Sequence, residues 1–263
     1  MKSTLKHAPL IVALCLLVRP LLAADGILIV ETTTTGGTTK TNQIQIEKTR
    51  MRTESAGPNG TTTVVVFDAV AQIMRMIDVP KKSYTEMTKE DVDRMGAQMT
   101  DAMAKMQEQL KNIPPAQRAQ MEAMMKNMPG MSAVVAKTEY RKVGTDTVGK
   151  WTCDKYEGYQ NGKKTSELCT VDPKALGLTV ADFQVTQQLG EFFLKMMPQN
   201  ADQMFSLGKN DPSGFSGVPV RRTYSILGKE TVSELTEVSH QTFADSIFAV
   251  PAGFQKKAFG PGQ

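Results

Sequence analysis

Between Gly26 and Tyr84, short β-branched segments alternate with turn residues, and no stretch is long enough to hold a crossover helix. This pattern excludes a parallel sheet there and predicts an antiparallel meander. Gly26 to Thr34 is rich in Ile, Val and Thr, and Gly36-Gly37 makes a turn. Lys40 to Thr53 alternates, with Ile44 and Ile46 on one face, and Gly57-Pro58-Asn59-Gly60 makes the next turn. Thr61 to Phe67 is a β-branched run, followed after Asp68-Ala69 by Ala71 to Asp78. Pro80-Lys81-Lys82 then breaks the run before Tyr84.

The middle of the chain has a helical period. Thr88 with Asp91 forms a capping box that opens a helix to about Lys111. Val92, Met95, Met99, Met103, Met106 and Leu110 recur every three or four residues and form one stripe. Pro114-Pro115 ends this helix and starts a second, in which Met121, Met124, Met125 and Met128 share a face before Pro129-Gly130. The pair, over about 88–130, reads as a Met-rich helical hairpin inserted between strands.

Strands resume from Ala133 to Val143. Thr179 with Asp182 opens a third helix with the face Val185, Leu189, Phe192, Phe193 and Met196, closed by Pro198. Gln199 to Gly217 is loop-like. Val218 to Leu227, the Gly228-Lys229 turn and Glu230 to Phe243 read as a last hairpin, and Phe248, Val250, Pro251 and Phe254 can tuck a tail onto the sheet. The expected class is α+β: an antiparallel sheet covered on one face by helices, in one domain over 25–263.

Met1 to Ala24 has the layout of a secretory signal peptide. Lys2, Lys6 and His7 form the polar start, Leu10 to Leu17 the apolar centre, and Ala23-Ala24 the small residues before a cleavage point. A spanning anchor would need about 20 apolar residues, which this segment lacks. Cys15 follows Leu14, which is too large for lipidation of the ordinary kind. An uncleaved or lipidated leader stays open as the alternative. No second segment is long and apolar enough to span, so no integral membrane protein is expected; the expected location is periplasmic or secreted. Of 31 bases, Lys2, Lys6 and Arg19 lie in the acid-free leader, leaving 28 against 27 acids. The net charge of +4 thus belongs mostly to the leader, and no nucleic-acid partner follows from it.

After the leader two cysteines remain, Cys153 and Cys169. An even count in an exported chain suggests one disulfide. Tyr156 to Gln160, Asn161-Gly162 and Lys163 to Leu168 read as a hairpin. With a bulge at Gly162, Tyr159 faces Lys163, Lys155 faces Glu167, and Cys153 faces Cys169. A redox or metal pair is the alternative; the spacing is not Cys-x-x-Cys.

Several short motifs then stand out: Val148-Gly149-Lys150-Trp151-Thr152-Cys153-Asp154-Lys155-Tyr156, Lys82-Ser83-Tyr84, Asp172 to Gly177 (DPKALG), and Phe248-Ala249-Val250-Pro251-Ala252-Gly253-Phe254. Together they resemble a family of exported bacterial proteins of unknown function. That family is similar in organisation to the periplasmic lipoprotein carriers and receptors of the LolA/LolB kind. The resemblance implies a curved antiparallel half-barrel that encloses an apolar cavity beneath helices. It implies no catalytic residues. The Met-heavy helical insert departs from it, as does Leu168-Cys169.

The residues point away from an enzyme. After the leader there is one His, His240, and no Gly-x-Ser-x-Gly elbow, His-Glu-x-x-His or phosphate loop. No catalytic residue, cofactor or metal is expected. The anomaly is methionine: ten of 17 lie between Met87 and Met131. Read as core, the two Met faces simply cover the sheet. Read as an adaptable groove, Met95, Met99, Met103, Met106, Met121, Met124, Met125 and Met128 line a site for a lipid, an acyl chain or an apolar peptide. Read as soft ligands, Met-x-x-Met pairs could hold Cu(I), although no neighbouring His or Cys supports that. The expectation is a non-enzymatic binding protein. A structural or envelope-interaction module without ligand is the alternative, and oligomeric state is not encoded in any motif.

Overall fold

The computed structural model describes residues 24–56, 62–111, 138–194, 214–226 and 228–259. Residues 1–23 of the expected leader, the expected turn at 57–60, the expected second Met-rich helix and residues 199–213 of the expected loop lie outside the described residues. A meander opens the fold: β1 (Ala24–Thr35), β2 (Thr38–Ile46), β3 (Arg50–Ala56), β4 (Thr62–Asp68), β5 (Ile73–Asp78) and β6 (Ser83–Thr88). Helix α1 (Lys89–Lys111) follows. Then come β7 (Glu139–Val148), β8 (Trp151–Gln160) and β9 (Lys163–Val171), helix α2 (Gln184–Phe193), and β10 (Val218–Ile226), β11 (Lys229–Phe243) and β12 (Gln255–Lys257).

The twelve strands of the described residues form one curved, unclosed sheet in the order β12-β6-β5-β4-β3-β2-β1-β11-β10-β9-β8-β7. Every neighbouring pair is antiparallel except β12 with β6, which run parallel. The first strand therefore sits inside the sheet, hydrogen-bonded to β2 on one side and β11 on the other.

Alternation along the strands divides the core between two faces. On the inner face Ile27, Ile46, Phe67, Val171, Val220 and Leu235 join one buried cluster with Val92 of α1 and Val185, Leu189 and Phe192 of α2. On the outer face Val64, Val66 and Ile77 pack with Phe243, Phe248, Val250 and Phe254. The tail after β11 crosses the back of the meander and ends by adding β12 to the β6 edge. Arg50 fastens it: its guanidinium lies 2.6 Å from both Glu47 and Asp245 and 4.5 Å over the Phe248 ring.

Some boundaries differ from the expectation for identifiable reasons. Lys40 to Thr53 is two strands rather than one alternating segment. The reversal falls at Glu47-Lys48-Thr49, without Gly or Pro; the Glu47 N–H donates to the Arg50 carbonyl at 2.8 Å, and Arg50 Nε donates to Glu47 Oε2 at 2.8 Å. Strand β7 does not stop at Val143. A bulge between Lys142 and Gly144 carries it on to Val148. The capping box at Thr88 forms, with the Thr88 N–H donating to Asp91 at 3.0 Å. That at Thr179–Asp182 also forms, but it opens a 3-10 turn, Val180–Phe183, that runs directly into α2.

The Cys153–Cys169 disulfide is present, with Cα atoms 5.4 Å apart and both residues buried. Its register is not the expected one. The loop is a two-residue turn in which Asn161 (φ 52°) and Gly162 (φ 76°) are both left-handed, so Gln160 pairs with Lys163. A bulge between Gly158 and Tyr159 then makes Lys155 face Cys169, and the bridge spans a diagonal. The Lys155–Glu167 ion pair survives as a diagonal contact of 3.3 Å.

Candidate functional site

A cleft of about 500 Å³ opens on the inner face, within the range of small-molecule sites. Its floor crosses the middle of the sheet: Ile44 of β2, Ile29 and Glu31 of β1, Leu235 and Val238 of β11, Val218 and Arg222 of β10, and Leu168 of β9. One wall is the 172–183 segment, which contributes Leu176, Leu178 and Phe183, all buried. That wall is set by local chemistry. Asp172 accepts from the Lys174 N–H at 2.8 Å, Pro173 starts a 3-10 turn, and Gly177 (φ 72°) ends it in the left-handed region. His240 Nε2 lies 2.9 Å from the Gly177 carbonyl oxygen and ties the wall to β11. The DPKALG stretch thus builds one side of the cleft, and the lone histidine of the described residues holds it in place.

The other wall is aromatic. Phe215 meets Tyr140 edge-on at 5.0 Å and Tyr156 at 6.4 Å. Gly158 makes this possible. A Cβ there would stand 2.2 Å from Ser166 Oγ and 2.6 Å from the Tyr140 ring. Gly158→Ala is expected to cost about 1–3 kcal/mol by overpacking. Urea unfolding reads the loss, and an unchanged midpoint would show that Tyr140 can swing aside freely.

Electrostatics set one residue apart. Glu31 follows Ile27 and Ile29 on the inward face of β1, and burial pushes its pKa above the ordinary carboxylate value. The nearby Arg222 charge and a hydrogen bond with Thr33 oppose that rise without cancelling it. A carboxyl whose folded value is raised favours the fold when protonated, and that contribution is lost as pH rises through the folded value. Glu31→Gln is therefore expected to raise Tm at pH 7. The gain should vanish below the ordinary carboxylate range, and thermal melts at the two pH values check it.

A second hollow of about 420 Å³ lies on the outer face beneath the tail, lined by Arg50, Asp68, Arg75, Glu86 and Asp245. Most of its charges are matched: Arg50 with Glu47 and Asp245, and Glu86 with Arg75 at 3.0 Å and Lys256 at 2.7 Å. These contacts fasten the tail rather than await a ligand.

Of the methionines singled out in the sequence, Met95, Met99 and Met106 are described, and they are not among the cleft-lining residues. Val92 is fully buried, Met95 and Met106 are half-buried and Met99 is 44% exposed, so the stripe is buried mainly at its start. Met103 lies in α1, but its side chain is outside the described residues, as are Met121, Met124, Met125 and Met128. Among the described residues the apolar part of the cleft lining is aliphatic and aromatic and contains no methionine. Sequence reasoning missed Glu31 and Arg222. The signal was available for Glu31: it continues the period-two face of Ile27 and Ile29, where a charge is out of place. Arg222 gave no such signal, because Arg221 beside it is just as basic and only the register tells which faces inward.

The family described as "Domain of unknown function (DUF4412)" matches residues 86–254. The chain belongs to the DUF4412 family. The matched stretch runs from within β6 through the cleft wall and Arg222 to Phe254, just before β12, while Glu31 lies before it. No curated protein matches this DUF4412 chain. Among solved structures it is similar to an uncharacterized conserved protein from Thermus thermophilus, at 10% identity and a TM-score of 0.42, covering 90% of this chain and 92% of that one. It is also similar to MucB in complex with MucA(peri), at 9% identity and a TM-score of 0.37, covering 88% of this chain and 56% of that one. A candidate outer membrane lipoprotein-sorting protein domain from Vibrio parahaemolyticus is similar at 8% identity and a TM-score of 0.26, covering 86% of this chain and 89% of that one. Among the described residues of the DUF4412 chain, no helix is long and apolar enough to cross a membrane.

Proposed function

We propose that this protein is an exported, non-enzymatic binding protein whose inner-face cleft takes an apolar ligand, a lipid or acyl chain. The observation that carries the reading is the cleft itself: about 500 Å³, floored by Ile29, Ile44, Leu168 and Leu235 in the middle of the sheet. Apolar surface held open in this way is the ordinary mark of a ligand site, because a chain with no use for it would bury it. The disulfide supports export, since such bonds persist in oxidising compartments. The leader at 1–24 and a single 25–263 domain belong to the same reading.

Native mass spectrometry of the purified protein tests it, together with displacement of an apolar fluorescent dye by a long-chain alcohol. Leu235→Asp is expected to abolish dye binding by placing a charge on the cleft floor. A companion variant, Met99→Ser with Met106→Ser, is expected to bind normally. Loss there with retention in Leu235→Asp would move the ligand to the methionine helix. No binding of any apolar probe would end the proposal.

A further inference from the structure

The cleft holds two opposite charges that do not satisfy each other. The cross-strand row Thr33–Ser233–Arg222–Leu168 places Arg222 two strands from β1, with Glu31 two residues further along β1. The strand between them carries the short, buried Ser233, whose Oγ lies 3.3 Å from Thr33 Oγ1. Glu31 feels the Arg222 charge, yet among the described residues Arg222 closes no ion pair with any carboxylate. The contrast with its neighbour is direct: Arg221, on the opposite face, lies 2.5 Å from Glu234 and 3.3 Å from Asp146. Glu31 is half-buried and Arg222 is exposed to solvent, and both line the cleft, so among the described residues it presents one carboxylate and one guanidinium that no ion pair joins, each open to a ligand group of opposite sign.

We infer that the cleft selects a zwitterionic amphiphile, with an ammonium facing Glu31, an anionic oxyacid facing Arg222, and its hydrocarbon chain along Ile29, Ile44 and Leu235. This rests on the apolar-cleft reading above and narrows it to one class of head group. A purely anionic head would meet Glu31, and a purely cationic head would meet Arg222. Only a head carrying both signs pairs each charge and repels neither. The guanidinium fork suits phosphate and carboxylate alike, so the oxyacid could come from a phospholipid or from an alkylated amino acid.

The experiment is dye displacement from the purified protein by probes of one chain length, each below its micelle-forming concentration. They are lysophosphatidylethanolamine, S-alkylcysteine, lysophosphatidylglycerol, an alkylamine and the alkyl alcohol. At least one of the two zwitterions is expected to displace dye at a concentration about tenfold or more below the singly charged probes, the effect of roughly one well-paired charge; which one identifies the oxyacid source. Glu31→Gln should erase the preference for zwitterion over anion. Arg222→Met should weaken the zwitterions about tenfold while sparing the alcohol, and Arg222→Lys should retain most of the preference. Alcohol binding with no preference among heads, or a preference that survives both Glu31→Gln and Arg222→Met, overturns this inference and leaves the apolar cleft standing. Failure of every probe, the alcohol included, removes both.

Discussion

Phe67→Ala is expected to destabilise the protein by about 3–5 kcal/mol, the usual cost of emptying a large aromatic site in a core. Phe67 is 2% exposed and points from β4 to the inner face, where its ring meets Phe192 of α2 edge-on at 5.4 Å. Phe192 in turn meets Phe193 at 5.1 Å. The substitution therefore removes the wedge between the meander and the helix as well as buried area. For a chain of this size each kcal/mol lowers Tm by about 2–4 °C, so a fall on the order of 10 °C should appear in a thermal melt. Phe67→Leu should recover much of it. A loss below about 1 kcal/mol in Phe67→Ala would mean that α2 does not rest on β4.

The second large effect is expected from the double change Cys153→Ser, Cys169→Ser. The bond closes a loop with a sequence separation of 16, worth about 3 kcal/mol in the chain-entropy account of cross-links. It also joins two buried side chains that share a cluster with Trp151, Val148 and Val171 near the β7 edge. Peptide mapping without reductant should show the 153–169 link, and the midpoint in urea should drop in the double variant. Reduction of the native protein should reproduce that drop. Two free thiols in the native protein, or a variant as stable as the native chain, would contradict the expectation.

How far the fold could be read from residues alone depended on which forces were local. Turns carried by Gly36-Gly37 and Asn161-Gly162, and the caps at Thr88 and Thr179, were legible because each is closed by atoms within a few residues of one another. The reversal at Glu47-Lys48-Thr49 was not. It is held by an ion pair whose second partner, Asp245, lies far along the chain. The hairpin register was misread because a turn and a bulge act together, and each alone shifts the pairing by one residue. The site was the least legible part. A methionine count draws attention to α1 and to 121–128, the latter outside the described residues, whereas the described floor of the cleft includes Ile29, Leu168, Val218 and Leu235, ordinary strand residues on four separate strands. Only the strand order makes them neighbours, and no local pattern encodes that β1 pairs with β11.

That central seam also bears on how the chain reaches its folded state. Each hairpin of the meander can zip as soon as it has been delivered, but β1 keeps one bare edge until residues 229–243 arrive, some 200 positions later, as the contact between Thr33 and Ser233 shows. Closure across so long an interval is intrinsically slow. Until then a threonine-rich strand offers its unpaired amides to any passing chain. A polypeptide threaded through a membrane pore with its front end first would emerge in that exposed condition, so a holding factor at the exit, or rapid delivery of the final third, would determine the yield of native protein.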